Sequence, residues 1–460
     1  MKHILLMKPL GSKYNISAPS LGFGYLATIA RKNDFLVDLI DTNKKNISWK
    51  EFSRLIKKKR YEFILIQMYS FEYYMVQEQS QLIKKIIPDS VIILGGPHPS
   101  GMPKETLRSL HSIDFLFQGE AEIGLNKFLN LTKRKYSTSN LRKIPNLVWR
   151  NGEEIICNEK VHEKDIDKIG FPAWDIIEPN KYRKNVHGIF SKSNNIAPIL
   201  TNRGCIHDCV FCMSKLVNGY PRYRTAKNVI SEMKLIYNRY GIKEIQIEDE
   251  NFLAKKDIAI KMCKNIIHSN LKIKWTCPNG IRIENIDKKL VQLMEKSGCY
   301  SFNIGIESGN QKRLDMIKKR LDLKILEEKI NLIKKYSSIK VIGSFLLGFP
   351  GETIKEINNT VSFSKKISIK RALFYCVLPY PGTEVWKEYI NKEKLDWKDF
   401  KFYNFISINN NISDKQLKIL IRKAYISFYM RLKILIPFIL DIRKISQISN
   451  ILIRVKRIIF

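Results

Sequence analysis

The sequence predicts an α/β protein: a Rossmann-like doubly wound parallel sheet, then a partial (β/α)6 TIM-like barrel, then a helical C-terminal tail. Short apolar runs alternate with helical patterns over residues 1–135, and the same alternation resumes near Ile196. Residues 136–195 lack that rhythm and separate the two stretches. With 460 residues, of which 44% are hydrophobic, the chain can fill two or three cores.

Residues 1–135 are predicted to form the first sheet. Its strands are expected at His3–Met7, Val37–Asp41, Phe63–Met68, Val91–Leu94 and Phe115–Gln118, with helices at Leu21–Lys32, Trp49–Lys58, Glu72–Ile87 and Glu122–Lys133. Ligands bind such sheets at the carboxyl ends of the strands. Small or polar loops stand there, for example Tyr69-Ser70, Gly95-Gly96 and Gly119-Glu120.

Three further regions follow. Residues 136–195 are predicted to be a connector, with a β-hairpin that turns at Asn151-Gly152. Residues 196–385 contain six strand–helix units, the pattern of a partial barrel. The predicted strands are Ala197–Thr201, Glu244–Glu248, Lys274–Pro278, Tyr300–Ile304, Val341–Leu346 and Ala372–Val377, and helices include Ala226–Tyr240 and Asp287–Ser297. Residues 386–460 are predicted to be a basic helical region that either packs on the barrel or lies on a membrane surface.

The chain is strongly basic, with 80 Lys and Arg against 44 Asp and Glu and a formal net charge of +36. Such a charge is typical of proteins that bind nucleic acid or anionic membranes. Lysine is spread along the whole chain, however, which favours a general compositional bias. The aromatic and basic signature of RNA-binding proteins is missing, so nucleic acid is not predicted as a partner.

The N-terminal residues lack the long apolar stretch of a secretory signal, and no apolar run is long enough to span a bilayer. We therefore expect a cytoplasmic protein, with peripheral membrane contact through the tail as an alternative. In a reducing compartment its eight cysteines should not form disulfides. Five are single and are expected to be buried small apolar residues: Cys157, Cys263, Cys277, Cys299 and Cys376.

The remaining three, Cys205, Cys209 and Cys212, stand in the segment Gly204-Cys-Ile-His-Asp-Cys-Val-Phe-Cys212. The three cysteines follow a predicted strand and precede a predicted helix. We therefore expect the thiolates on a loop at the mouth of the barrel. Thiolates suit iron–sulfur clusters and soft metals. Structural zinc would require a fourth ligand, for which His207 is a candidate with the wrong spacing. Buried thiols without a metal are the remaining alternative.

This motif, with an aromatic residue before its last cysteine, resembles that of the radical S-adenosylmethionine (SAM) superfamily. The resemblance implies that Cys205, Cys209 and Cys212 hold a [4Fe–4S] cluster whose open iron binds SAM. Reductive cleavage then gives methionine and a 5′-deoxyadenosyl radical, with electrons from a donor such as flavodoxin or ferredoxin. The other residues implied in SAM binding are Phe211, Glu248, Asp249, Glu250, Asn303, Glu307 and Ser308. Asp249-Glu250 stands where an Asp-Asp pair is more usual.

The N-terminal region resembles the cobalamin-binding branch of this superfamily. Matching segments are Pro19–Leu26, Gly95–His98 and Gly119–Glu122, and the implied cobalamin-binding residues are Ser20, Leu21, Gly22, Ser70, Gly95, Gly96, His98, Gly119 and Glu120. Paired glycines allow the backbone to approach a bulky ligand closely. The Asp-x-His-x-x-Gly motif that supplies an axial histidine is absent after the first strand. A domain that only packs on the barrel is the alternative.

The resemblance implies an enzyme that uses the radical and cobalamin to methylate an unactivated carbon of a small-molecule, lipid or peptide substrate. A cobalamin-dependent oxidative cyclase or rearrangement enzyme would use the same parts. An RNA-modifying enzyme of the methylthiotransferase type ranks below both, because that family carries an N-terminal cysteine triad and no cysteine precedes Cys157 here. A non-enzymatic iron–sulfur scaffold would not need acids such as Glu248 and Glu307. Residues that act directly in catalysis are not predicted.

Overall fold

A seven-stranded sheet and a six-stranded sheet carry the architecture of the computed structural model. The structure describes residues 2–11, 18–42, 44, 47–131, 136–182, 191–389, 396–400, 406–442, 448 and 451. The predicted fold class is confirmed. The domain boundaries drawn from the sequence remain predictions.

The first sheet has the strand order β2-β1-β3-β4-β5-β6-β7, and its first five strands are parallel. Its strands are β1 (Lys2–Met7), β2 (Phe35–Ile40), β3 (Phe63–Gln67), β4 (Val91–Gly95), β5 (Phe115–Phe117), β6 (Leu147–Asn151) and β7 (Glu154–Cys157). The helices are α1 (Leu21–Lys32), α2 (Trp49–Lys59), α3 (Tyr73–Ile86), α4 (Pro97–Gly101), α5 (Pro103–Ser109), α6 (Glu122–Leu129) and α7 (Thr138–Leu141).

Strand β1 shows why this sheet is covered on both faces. Its side chains alternate between two cores: Ile4 and Leu6 pack in one, and Leu5 and Met7 pack in the other. All four are fully buried, as expected for a parallel strand between two helical layers. The five strands predicted for this region are present, with ends that differ by one or two residues.

The predicted hairpin is also present, as the antiparallel pair β6 and β7. It does not stand apart in the connector, because β6 pairs with β5 and thereby extends the first sheet. Gly152 turns the hairpin with a left-handed φ of +61°. The first sheet therefore continues past residue 135, because β5 pairs with β6, which lies about 30 residues later in the sequence.

The second sheet is parallel, and each strand pairs with the next one along the chain, in the order β15-β14-β13-β12-β11-β8. The strands of this half are β8 (Ile196–Ile199), β9 (Asn202–Arg203), β10 (Arg222–Tyr223), β11 (Glu244–Ile247), β12 (Lys274–Ile281), β13 (Cys299–Glu307), β14 (Lys340–Leu347) and β15 (Arg371–Cys376). The short β9 and β10 form a separate ribbon. Helices α8 to α16 are Trp174–Ile177, Ser214–Asn218, Ala226–Tyr240, Lys256–His268, Lys288–Lys296, Gln311–Met316, Leu323–Tyr336, Ile354–Lys366 and Glu384–Tyr389.

The C-terminal region contributes α17 (Asp414–Tyr429) and α18 (Leu432–Leu440). Helix α17 packs against β15, the last strand of the second sheet. The Phe374 amide donates to the Tyr425 hydroxyl at 3.1 Å, and the Tyr429 hydroxyl donates to the Ala372 carbonyl at 3.0 Å. The helix thus covers β15, which is the edge strand of the second sheet among the described residues. No helix in the described part of the chain is long and apolar enough to cross a membrane.

The two sheets meet through close backbone contacts. Gly101, at the end of α4, faces Pro381 and Gly382 in the loop after β15, and a methyl group added to Gly101 would stand 2.7 Å from the Pro381 carbonyl carbon. Only a residue without a side chain permits this approach. The loops at the carboxyl edge of the first sheet therefore lie against the mouth of the second.

We predict that Gly101→Ala lowers the free energy of unfolding by about 1–3 kcal/mol, because the new methyl group must push the two backbones apart. Urea denaturation followed by tryptophan fluorescence measures this change. Gly22→Ala is the matched control, since an added methyl group at Gly22 meets no atom within 4 Å. Equal stability of the two variants would contradict the proposed contact.

Candidate functional site

Three cysteines share the loop between the ribbon strand β9 and helix α9. Cys205 and Cys209 are half-buried, while Cys212 is exposed. Backbone hydrogen bonds shape the loop: the Cys205 amide donates to the Gly219 carbonyl at 3.1 Å, and the Cys212 amide donates to the Cys209 carbonyl at 3.0 Å. Four of the five single cysteines are buried, as predicted, and Cys157 is half-buried.

The three thiols are close enough to influence one another. Burial raises the pKa of Cys209 to about 11, and it also raises the pKa of Cys205. The charge of Cys212 raises both pKa values further, whereas Lys319 lowers the pKa of Cys209 and Arg282 lowers both. Burial therefore favours the protonated form of Cys205 and Cys209, and a group that binds them as thiolates would displace their protons.

The loop offers three thiols as donors, and thiolates suit iron–sulfur clusters. Among the described residues, no group of three or more His, Cys, Asp or Glu side chains is arranged to hold one metal ion. A four-iron cluster binds each thiolate through a different iron, so its cysteines need not converge on one point. His207 lies within the loop, where burial and the charge of Arg282 lower its pKa to about 4.

Asp249 and Glu250, two acids predicted to contact SAM, hold the start of the cysteine loop. Asp249 is buried and accepts hydrogen bonds from the amides of Thr201 at 2.6 Å and Asn202 at 3.2 Å. Burial raises the pKa of Asp249 to about 7, against the lowering effect of these bonds. Glu250 accepts from the Gly204 amide at 3.1 Å. Both carboxylates therefore bind the backbone that leads into Cys205.

Glu248 has a different environment. Its side chain is half-buried at the end of β11, and its charge contributes to raising the pKa of Tyr69, after burial and the charge of Glu72. Tyr69 belongs to the loop after β3, so the mouth of the second sheet and the carboxyl edge of the first face each other here. Of the three acids after this strand, Glu248 is the one whose charge acts on Tyr69.

Glu307, at the end of β13, is held in an unusual backbone conformation. Its φ is +67°, and the pairing of β13 with β14 is irregular between Gly305 and Glu307. The carboxylate accepts from the Lys319 ammonium at 2.6 Å, and both side chains are buried. A methyl group added to Gly305 would stand 2.8 Å from that ammonium. The glycine therefore makes room for the ion pair, and strain of this kind is typical of functional sites.

The other predicted SAM-binding residues already have protein partners. The Asn303 amide donates to the Ser344 hydroxyl at 2.8 Å, and the fully buried Ser308 hydroxyl lies 3.2 Å from the Thr360 hydroxyl. Phe211 is half-buried, with its ring 5.8 Å from that of Phe349 in an edge-to-face contact. Phe211 borders the cysteine loop, whereas Ser308 is enclosed by protein.

The turn Ile317–Arg320 supports the cysteine loop, and sequence reasoning missed it. Its Ile317 carbonyl accepts from the Val210 amide at 3.2 Å, and its Lys318 carbonyl lies 3.8 Å from the Cys209 sulfur. Arg282 donates to the Lys319 and Arg320 carbonyls at 2.5 and 2.6 Å. The basic run Lys318-Lys319-Arg320, shortly after the predicted Glu307 motif, was the signal available in the sequence.

A buried ionic network joins the first sheet to this loop. Arg222 donates two hydrogen bonds to the Glu120 carboxylate, at 2.8 and 2.6 Å, and Arg203 lies 3.5 Å from it. Arg203 also pairs with Glu122 at 2.8 Å and stacks over the Tyr25 ring at 4.6 Å. Because Arg203 directly precedes Gly204 and Cys205, this network anchors the cysteine loop to the first sheet.

The charge state of Glu120 follows from these contacts. Burial opposes its ionisation, but hydrogen bonds from Arg222 and His162 and the charges of both arginines outweigh burial and lower the pKa of Glu120 to about 2. Gly119 turns the chain just before it, with a φ of +75° and the Val217 carbonyl 3.0 Å from where a side chain would begin. The predicted cobalamin-binding residues Gly119 and Glu120 thus directly contact Val217 and Arg222, which follow the cysteine loop.

The remaining predicted cobalamin-binding residues lie along the carboxyl edge of the first sheet. Space is open at Gly22 and Gly95, where a side-chain carbon would meet no atom within 4 Å. Gly96 lies against the Met68 carbonyl with a φ of +116°. Ser20 precedes Leu21, the first residue of α1, and its hydroxyl accepts from the Phe23 amide at 3.5 Å. Open glycines beside a helix N-terminus fit a large ligand with a phosphate group.

His98 is enclosed by protein. Its Nδ1 lies 3.0 Å from the Ser70 hydroxyl, and its ring is 2% exposed. Trp397, from the segment 396–400, covers it edge to face with 4.6 Å between ring centroids. Burial lowers the pKa of His98 to about 3, so the ring is neutral at physiological pH. Contact between His98 and a ligand would require a movement of the side chains around it.

Two family models match the chain. The radical SAM superfamily matches residues 199–364, and the B12 binding domain matches residues 7–129. An uncharacterized methyltransferase from Pyrococcus horikoshii is 30% identical over 453 residues, which are 96% of this chain and 95% of that protein. The cytidylyl-2-hydroxyethylphosphonate methyltransferase of Streptomyces wedmorensis is 24% identical over 449 residues, covering 85% of this chain and 82% of that protein.

A solved structure has the same fold. It is that of the radical S-adenosylmethionine methyltransferase TsrM from Kitasatospora setae, with cobalamin and a [4Fe–4S] cluster bound. The TM-score is 0.67 at 17% sequence identity, over 84% of this chain and 74% of that chain. The similarity extends over both sheets.

We predict that Glu120→Gln lowers the free energy of unfolding by about 3–5 kcal/mol at neutral pH, because it removes the carboxylate that Arg222 pairs with and leaves Arg203 with Glu122 alone. The pKa of Glu120 is lowered from 4.5 to about 2. Its stabilising contribution is therefore complete above pH 4.5 and disappears as the pH falls through about 2. Urea denaturation of the wild type and of Glu120→Gln should show that their free energies of unfolding become more similar as the pH falls from 4.5 to about 2.

The matched control is Glu153→Gln, an exposed acid next to the hairpin turn. It should change stability by less than about 0.5 kcal/mol. A Glu120→Gln variant as stable as this control would show that the network does not hold the two sheets together.

Proposed function

The chain belongs to the cobalamin-binding family of radical S-adenosylmethionine enzymes, and from this premise we propose that it methylates an unactivated carbon of a small molecule. One observation carries the proposal: the three-cysteine loop lies at the mouth of the second sheet, directly beside the carboxyl edge of the first. When bound, the cluster supplies the electron that cleaves SAM, and cobalamin carries the methyl group.

Cys205, Cys209 and Cys212 would hold the cluster. The turn Ile317–Arg320 and Arg282 fix the loop from behind, and their cations offset the negative charge of the thiolates. Positioning of this kind contributes to catalysis because the loop does not have to reorganise when the ligand binds.

For SAM, we propose that Glu248 and Glu307 are the acids nearest the ligand. The charge of Glu248 acts on Tyr69, and Glu307 is held in strained backbone against Lys319. Asp249 and Glu250 act through the backbone of the loop, which makes them positioning residues. Phe211 would supply an apolar contact beside the last cysteine.

For cobalamin, the open space at Gly22 and Gly95 provides the room, and the N-terminus of α1 provides amide donors for a phosphate. Ser70, Gly96 and Gly119 would shape the edge of that space. Because Trp397 and Tyr73 enclose His98, this side chain would contact a cofactor only after its neighbours move. The carboxyl edge of the first sheet would hold the cofactor opposite the mouth of the second sheet, where a substrate would be positioned for transfer.

The substrate class rests on the relatives. The Streptomyces wedmorensis protein is named for a small phosphonate nucleotide, which favours a small molecule here as well. We carry a lipid or a peptide as further candidates, and a flavodoxin or ferredoxin as the electron donor. Oxidative cyclisation remains the second candidate reaction.

We predict that anaerobic reconstitution gives a brown protein with about four irons per chain, and that Cys205→Ala, Cys209→Ala and Cys212→Ala each abolish the cluster. Iron analysis and visible absorption measure this. Cys263→Ala is the control: its thiol is fully buried in α11, and its iron content should match the wild type. Zinc in the site, with no iron taken up under reducing conditions, would refute the cluster.

We further predict that SAM with a labelled methyl group gives both S-adenosylhomocysteine and 5′-deoxyadenosine when reductant and the true substrate are present. Two molecules are consumed, because one donates the methyl group and another supplies the radical. Mass spectrometry follows both products and the label in the substrate. Deoxyadenosine without S-adenosylhomocysteine would contradict methyl transfer and favour cyclisation or oxidation.

A further inference from the structure

Helices α17 and α18 concentrate the exposed apolar side chains of the molecule. Six large apolar residues there are each more than half exposed: Ile426, Met430, Leu432, Ile436, Ile439 and Leu440. We call these six residues the apolar ridge. In the rest of the described chain, only Ile206, Tyr220 and Met316 are exposed to that degree, and they lie at separate positions. Exposed apolar side chains concentrated in one part of a protein are typical of a site of interaction.

The ridge follows the geometry of α18. Leu432, Ile436, Ile439 and Leu440 are spaced by four, seven and eight residues, which places them on one face of the helix. Ile434 is the buried residue of α18. The side chains that would normally face the core of a protein therefore point outward here.

Basic residues accompany the ridge. Lys415, Lys423 and Lys433 are exposed on the same two helices. Asp441, the acid at the end of α18, is neutralised by Lys340 and by Arg371 at 3.1 Å. In the sequence that follows, residues 442–460 contain five Lys or Arg and no Asp or Glu.

We propose that α17 and α18 dock this protein on an anionic lipid surface. Helix α18 has nine residues and is about 14 Å long, too short to span a hydrocarbon core of about 30 Å. It lies in the plane of the interface, with the apolar ridge among the acyl chains and the lysines at the headgroups. Charge selects this occupant over a second copy of the chain, since two copies would bring like charges together.

The test uses the full-length protein and vesicles, and it requires neither cofactor nor substrate, so its result is independent of the proposed methyl transfer. Sedimentation compares vesicles of phosphatidylcholine alone with vesicles of equal parts phosphatidylcholine and phosphatidylglycerol. Wild-type protein should bind the anionic vesicles and dissociate at high salt. The triple variant Leu432→Ser, Ile436→Ser and Leu440→Ser should partition at least about tenfold less, because three apolar side chains no longer insert.

The matched control replaces three exposed apolar residues on other elements: Leu36→Ser, Ile325→Ser and Ile354→Ser. It should bind like the wild type, and circular dichroism should show that all three proteins are folded. Absence of binding to anionic vesicles would overturn the proposal, as would equal binding by the ridge variant. So would a wild-type dimer in solution that the ridge variant converts to monomer, since the ridge would then be covered by a second copy.

Discussion

The Glu120 carboxylate is neutralised where the two sheets meet, and the rest of the site depends on this interaction. A buried charge is tolerated only with its counter-ions in place, and here Arg203 and Arg222 both come from the short ribbon of β9 and β10, outside the first sheet. Arg203 belongs to the strand that leads into Cys205, so its pairing also sets where the cysteine loop begins. Gly119 and Gly101 add backbone contacts that leave no room for a side chain. The same contacts therefore hold the two sheets together and position the cysteine loop.

Acidic residues at the mouth of the second sheet divide into two roles. Asp249 and Glu250 accept hydrogen bonds from backbone amides, an arrangement that fixes a loop as effectively as a helix cap does. Glu307 instead pairs with Lys319, whose charge also acts on Cys209, and the charge of Glu248 acts on Tyr69. A loop that is already ordered in this way loses little conformational entropy when a charged ligand binds.

The sequence predicted the parts of the structure that local patterns determine. Strand β1 was predictable because an uninterrupted apolar run such as Ile4–Met7 must be buried on both faces. The cysteine loop was predictable because the spacing of its three cysteines is specific to few kinds of site. The Asn151-Gly152 turn predicted a hairpin, but its pairing with β5 depends on residues far along the chain. Arg222 lies 102 residues from Glu120, and no local pattern connects them. The left-handed backbone of Glu307 accompanies an irregular pairing of β13 with β14, which no local sequence pattern indicates.

The order in which the chain is synthesised gives the Glu120 network a further consequence. The first sheet, including its last strand β7, leaves the ribosome before Arg203 and Arg222. Until those residues emerge, Glu120 and Glu122 lack the arginine counter-ions that they have in the folded protein. Cys205, Cys209 and Cys212 lie between Arg203 and Arg222 in the sequence. The cations that complete the network and the thiols of the loop are therefore synthesised in one stretch of chain.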